Sequence, residues 1–494
     1  MNHPKTLRWS LGLLSLLYPA LPLLIFFAGW LRPGYALLSV VPVLFCLRHL
    51  ARAWPAEAVP FRPGEIVLVA AFSLALTAFA GIGGLAPQST DWIKHNAVLY
   101  DLVNLSWPVV LADGPARWPL VYYLAYYLPA AVAGKLAGYA VAQAVLWLWT
   151  SLGVTLAGLW FARLARLPAR IAAPAFFLFA GLVFVANPLV QILGLTSHHD
   201  RLEFYPNESW TWIWQFPSHY WMLEWAPGQA LAGWLSAGLF LGAPRALRPA
   251  VLVFLVVCDP LWSPFAAVGL CLLAFFLWWR EGSERLVKPS VPFLALIFPF
   301  GVLAAFYAAK LSPDVAARFP KIPITWFFSF PDAPGPLKSV VLLLLFVGFE
   351  FGLYLWFIRA RFLRGGAERN LADACGLALL SLLPVTVGGF NDLSMRACTV
   401  PWFGVALLTA RALTSSGLAP RLRRWFWVLI LLGALTPLIE VAHQGYHLVT
   451  RRYDPRVVPH GTPAVVHMAD GGFNDYGAQY VGSTNSFFAR HLAR

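Results

Sequence analysis

Apolar stretches near the length of a bilayer crossing recur along this 494-residue chain, and they leave little room for any other architecture. They fall at roughly 10–31, 34–47, 64–86, 139–162, 171–195, 223–243, 247–258, 261–279, 290–309, 339–358, 372–388, 399–416 and 425–442. A hydrophobic share of 59% and a charged share of 12% lie outside the range of soluble domains. The chain therefore reads as an all-α polytopic membrane protein of about 13 transmembrane helices. No small-residue cleavage site follows the first stretch, so it is expected to be a retained helix rather than a signal peptide.

A net charge of +14 would suit nucleic acid if it were gathered on one polar surface, but the basic residues are scattered in short clusters between apolar runs. The clusters are Arg48 and Arg52; Arg163, Arg166 and Arg170; Arg245 and Arg248; Arg280, Arg285 and Lys288; Arg359, Arg361, Arg364 and Arg369; and Arg421, Arg423 and Arg424. With the N-terminus in the cytoplasm, all six fall on the cytoplasmic side of a bacterial cytoplasmic membrane. That agreement sets two conditions. Residues 118–136 must lie along the outer surface or enter and return, and 247–279 must break at Cys258-Asp259-Pro260 into two short helices. The expected organisation is a transmembrane domain, 1–442, and a small extracytoplasmic tail, 443–494. Polar outer loops lie at 87–137, 196–222, 311–338 and 388–398.

Those loops carry the candidate chemistry. Asp91, Lys94 and His95 have spacings of three and four, which places them on one helix face. A carboxylate there serves as a general base toward an acceptor hydroxyl, with cationic neighbours to hold a phosphate and lower its pKa. The competing reading makes Asp91 the N-cap of the helix that follows. His198 and Arg201 belong to a Ser-His-His-Asp-Arg stretch that suits either a phosphate clamp or, less specifically, a metal. The aromatic run Trp210, Trp212, Trp214 and Phe216 suits an interfacial belt or sugar stacking. Arg396 is placed to take a lipid-linked phosphate, or to pair with Asp392 four residues earlier. Asp259, set between apolar segments, is a functional candidate by its cost alone. The five cysteines show no CxxC spacing, and no nucleophile elbow, P-loop or dinucleotide fingerprint is present.

The order of these features resembles the glycosyltransferase C superfamily, integral enzymes that use polyprenyl-phosphate sugars, such as protein O-mannosyltransferases and the lipid A aminoarabinose transferase. Asp91 stands where that family carries an acidic residue in its first long outer loop. Trp118-Pro119-Leu120-Val121-Tyr122-Tyr123, running on to Gly134-Lys135-Leu136, is similar to a family segment that lies on the membrane. Asp259-Pro260 occupies the place of a family break between short helices. The chain departs from the family in having Asp91-Trp92 for a paired acidic dipeptide and a short tail for a large soluble domain.

The resemblance implies a GT-C-like fold and inverting transfer from a polyprenyl-phosphate-linked sugar to a glycan, lipid or protein acceptor. Asp91 and His95 would be catalytic. Lys94, His198, Arg201, Arg396, Asp392 and Asp259 would bind substrate or phosphate. No cofactor is required, a divalent metal is allowed, and membrane lipids rather than nucleic acid are the expected surroundings. Two other activities fit the same loops: a polysaccharide polymerase or ligase using a lipid-pyrophosphate donor, and a lipid or glycan flippase. A flippase would need charges through the spans, which are sparse here.

Overall fold

Proline punctuates the chain: Pro33, Pro63, Pro227, Pro264, Pro336 and Pro420 each open a helix, where the missing amide hydrogen and fixed φ do no harm. The computed structural model describes residues 11–55, 61–195, 208–282, 291–330, 333–361, 366–415, 417–450, 463–467 and 477–494. Within these the protein is mostly helical. Six helices are long and apolar enough to cross a membrane: Leu11–Trp30, Pro33–Ala53, Tyr139–Ala165, Pro264–Glu281, Pro336–Arg361 and Pro420–Val449.

In chain order the helices begin with α1 (Leu11–Trp30), α2 (Pro33–Ala53), α3 (Pro63–Phe79), α4 (Trp92–Asn104), α5 (Leu128–Ala137) and α6 (Tyr139–Ala165). Next come α7 (Ala169–Phe177), α8 (Val183–Ile192), α9 (His219–Trp225), α10 (Pro227–Gly242), α11 (Arg248–Cys258) and α12 (Pro264–Glu281). After α13 (Val291–Leu294), α14 (Ile297–Ala308) and α15 (Pro313–Arg318), α16 (Pro336–Val347) passes through a π turn into α17 (Leu353–Arg361). The last are α18 (Ala367–Ser381), α19 (Asp392–Ala397), α20 (Thr399–Thr414) and α21 (Pro420–Val449). Two two-stranded antiparallel sheets complete the set, the hairpin of β1 (Val110–Asp113) with β2 (Ala116–Pro119), and the long-range pairing of β3 (Ile324–Trp326) with β4 (Val385–Val387).

Several apolar runs are not single helices. The run at 171–195 divides into α7 and α8, with Pro174 inside α7 and a non-helical stretch from Leu178 to Leu182. The freed backbone finds partners on the π turn and α17: Leu182 N–H donates to the Phe349 carbonyl (3.0 Å) and Tyr354 donates to that of Ala180 (2.8 Å). The expected break after Cys258 is present, as a single 3-10 turn, Asp259–Leu261.

Residues 118–136 do not cross as one helix; most of 118–131 is buried, and α5 then turns Val132, Lys135 and Leu136 outward. After β2 the chain runs irregularly to Tyr127 and then forms α5, with Val121, Leu124, Ala125, Tyr126 and Tyr127 all buried. Ala125 N–H donates to the Leu261 carbonyl, and the Tyr126 hydroxyl meets Thr150 near the middle of α6 at 3.0 Å. The segment enters the bundle, which irregular backbone in an apolar setting can do only when protein surrounds it.

The two ends of the bundle differ. At one, Arg245 pairs with Glu281, Arg280 and Arg359 both pair with Asp373, and Arg411 pairs with Glu368 while donating to the Leu164 carbonyl. Trp54, just past α2, packs 6.2 Å from Trp160, and Arg163 lies over that ring. Arg361 and Arg423 both donate to Ser415, so members or near neighbours of all six basic clusters meet at this arginine end. The other end gathers the α1–α2 turn, residues 105–127, the turn after α14, α19 and the described tail. There Trp30 stacks near Trp107, Val121 N–H donates to Tyr480, and Ser483 N–H donates to Ala309.

Candidate functional site

Asp91 opens α4 but does not cap it. Its carbonyl accepts the amide hydrogens of Lys94 and His95, whereas its carboxylate makes no capping bond and instead meets Lys94 Nζ at 2.6 Å. The capping alternative thus holds for position and fails for the side chain. Asp91 is 33% and Lys94 19% exposed at the side chain, so this pair is the part of the site that reaches the surface. Burial by itself disfavours the carboxylate. Lys94, His95 and Arg396 together outweigh it, Lys94 most, and the Asp91 pKa is held below its ordinary value.

The rest of α4 is pinned. Trp92 donates to the Glu224 carbonyl at 2.9 Å, and Asn96 joins Gln88 and Gln143 through hydrogen bonds of 3.0 Å. His95 meets the Tyr127 hydroxyl through Nδ1 at 2.5 Å and the Trp225 carbonyl through Nε2 at 3.1 Å. Because a carbonyl only accepts, Nε2 carries the hydrogen and Nδ1 accepts from Tyr127. Burial, then the Lys94 charge, pushes the His95 pKa down to about 4. The imidazole is neutral at physiological pH and both its nitrogens are engaged. His95 therefore leaves the cationic set and is not a free base; it positions α4 against α9. Its charge assists Asp91 only in acid.

Behind this pair lies α19. Asn391 adopts a left-handed φ of 48°, and its side-chain oxygen accepts from Ser394 N–H, capping the helix. With the cap filled, Asp392 is released to pair with Arg396 at 2.9 Å, the two side chains being 18% and 8% exposed. The intrahelical alternative for Arg396 is thus present. Its guanidinium also sits 6.0 Å from the centre of the Tyr123 ring, and Nε has no hydrogen-bond partner among the described residues. Burial opposes the Arg396 charge; Asp392, then Tyr123, Tyr122 and Asp91, overcome it and hold the pKa above the ordinary value.

Tyrosines fill the space between. Tyr122 lies 4.7 Å from Tyr123 and 4.9 Å from Tyr480 between ring centres, and burial raises the pKa of all three hydroxyls. They are neutral donors facing Asp91 and Arg396. The gap between His95 and these rings is closed, with a cavity of about 10 Å³ bounded by Tyr126, Tyr127, Gln229 and Trp262.

Structure thus brings together Asp91, Lys94, His95, Asp392 and Arg396. Asp259 is elsewhere in the packing: fully buried, bound by Ser236 at 2.8 Å and enclosed with Tyr18, Leu231 and Trp262. It has no surface to offer a phosphate and stands apart from the binding set. His198 and Arg201 lie outside the described residues. Among those described, no group of three or more His, Cys, Asp or Glu residues has the arrangement to hold a metal ion.

Three of the four aromatics in the run after residue 209 are packing residues, while Trp212 is half-buried. Trp210, Trp214 and Phe216 are buried, the first donating to Glu350 and all three packing near Phe346. Sequence reasoning missed the tyrosines. Tyr122-Tyr123 and Tyr126-Tyr127 are visible as doublets, but nothing local signals that Tyr480, more than 350 residues on, completes the group. Comparison of the chain with protein-family models, with curated proteins and with solved structures finds no match.

Proposed function

We propose that this protein is a membrane glycosyltransferase that moves a sugar from a polyprenyl-phosphate donor to a glycan, lipid or protein acceptor at the outer face of the bacterial cytoplasmic membrane. In this reading about 13 segments cross, the N-terminus is cytoplasmic and the tyrosine end faces outward. The observation that carries it is the Asp91 carboxylate, one-third exposed, paired with Lys94 at 2.6 Å and held ionised chiefly by that lysine.

Asp91 takes the proton of the acceptor hydroxyl as the acceptor oxygen attacks the anomeric carbon. The bond from that carbon to the phosphate oxygen breaks, and polyprenyl phosphate leaves with the electron pair. Lys94 and Arg396 offset the charge that develops on the leaving oxygen. Lys94 exchanges its Asp91 contact for the phosphate as substrate enters, which frees the base. His95 holds α4 in register and carries no proton in the step.

The test is a panel of radiolabelled polyprenyl-phosphate sugars presented to purified wild-type and Asp91→Asn protein. Retained donor binding with transfer lost is the expected result. Full transfer by the variant would overturn the assignment, and lipid movement without transfer would favour a flippase.

A further inference from the structure

The tail closes one end of an apolar groove lined mainly by α14, with Tyr35 of α2 and Leu294 of α13 at its sides. The groove holds about 580 Å³, runs along Ile297, Phe298, Gly301 and Ala305 of α14, and ends at Phe487 and Leu492. Those α14 positions recur at three- and four-residue spacing and cover about 12 Å of helix. Gly301 keeps the channel open, since a Cβ built there meets nothing within 4 Å.

Cations crowd the same end. Arg490 and Arg494 flank Leu492, and Arg32 from the α1–α2 turn clasps them: its Nε donates to the Ala493 carbonyl (3.0 Å) and Nη2 to that of Arg490 (2.8 Å). Arg494 donates in return to the Leu31 carbonyl (3.0 Å) and the Ala28 carbonyl (2.6 Å), at the negative end of the α1 dipole. Arg490 reaches the Asn485 side-chain oxygen at 2.6 Å. All three arginines are exposed, and among the described residues no Asp or Glu side chain pairs with any of them. Neutral oxygens orient them without cancelling their charge.

We infer that this groove and its arginine head bind an anionic membrane phospholipid, with an acyl chain beside Gly301 and the phosphate over Arg32, Arg490 and Arg494. Charge complementarity selects this occupant. A neutral lipid would use the groove and leave the arginines unanswered, and a water-soluble phosphate would use the arginines and leave the groove empty. The bound lipid ties the tail to α2 and α14. None of this depends on the sugar-transfer reading.

Native mass spectrometry of the full chain, titrated with phosphatidylglycerol, phosphatidylcholine or inorganic phosphate, tests it. Phosphatidylglycerol should be retained in preference to phosphatidylcholine, and millimolar phosphate should not displace it. Arg490→Gln should weaken retention about fivefold, as removal of one surface cation does. Gly301→Trp should abolish it, and Gly301→Leu, a gentler filling, should weaken it without disturbing the fold. Equal retention of the two lipids, full displacement by phosphate, or indifference to both Gly301 variants would overturn the site. So would a shift from dimer to monomer in Gly301→Trp, which would assign the groove to a second copy.

Discussion

The arginines paired at the arginine end and Arg396 at the tyrosine end are held differently. Arg245 and Glu281 meet at 3.5 Å with the arginine 55% exposed, and Asp373 takes two arginines, at 2.8 and 3.4 Å, whose side chains are 39% and 53% exposed. At the other end Arg396 and Asp392 meet at 2.9 Å with the arginine 8% exposed, and tyrosine rings replace solvent around them. Exposed pairs are worth little individually, while buried ones are costly to break. Breaking the Arg396–Asp392 pair is therefore expected to cost more than breaking any one arginine-end pair.

The largest contrast should come from the carboxylates. Asp91→Asn is expected to lower transfer about 10²–10⁴-fold, the range that a positioned general base supplies. Glu281→Gln, which removes a carboxylate from the arginine end, should leave the rate unchanged. Comparable losses in both variants, measured as single-turnover transfer in the same lipid mixture, would erase the functional distinction between the ends.

Arg396→Gln should follow, with a loss of about 10²-fold or more, as for removal of one donor to a developing anion. Its stability should also fall by roughly 3 kcal/mol, because Asp392 is left buried without its partner. Adding Asp392→Asn separates the two effects: the double variant should regain most of the stability and none of the transfer. If activity returned with stability, Arg396 would be a structural residue alone.

The pH profile sharpens the same point. Burial and Lys94 put the His95 pKa at about 4, and Asp91 stays below its ordinary value. The base is the ionised form of Asp91, so a lowered pKa carries its protonation further into acid. Transfer should therefore stay level from pH 7 to about 5, where a free histidine, with pKa about 6.5, would already have failed. The linkage runs in the same direction for stability. The Asp91 contribution is present above the unfolded carboxylate value and is lost as pH falls through the lower folded value. A midpoint of activity between pH 6 and 7 would return the catalytic role to a histidine.

What was legible in the sequence follows from range. Among the described residues, six of the thirteen apolar runs have a spanning-length helix as counterpart, and the Pro-led helix starts and the Cys258 break are local features that the structure also contains. The three- and four-residue spacings from Asp91 to Lys94 and from Asp392 to Arg396 are local too, and both ion pairs formed. The failures are all questions of what lies across the bundle. Nothing near Asp259 reveals that Ser236 will occupy it, and nothing near Trp210 reveals Glu350. His95 looked cationic until Tyr127 and the Trp225 carbonyl, from two other segments, fixed its hydrogen. The split of α7 from α8 had a local signal in Pro174, but its stabilisation depends on Phe349 and Tyr354.

The smallest effect tests the arginine end on its own terms. Arg245, 55% exposed, and Glu281, 15% exposed, form a pair that solvent and salt can screen. A double-mutant cycle of Arg245→Gln and Glu281→Gln should return a coupling energy below about 1 kcal/mol, shrinking further in high salt. Their value would then lie in number and side rather than in any one contact, since orientation counts basic residues near span ends and not their partners. A coupling of 3 kcal/mol, insensitive to salt, would place this pair with Arg396 and Asp392, and burial would no longer divide the two ends.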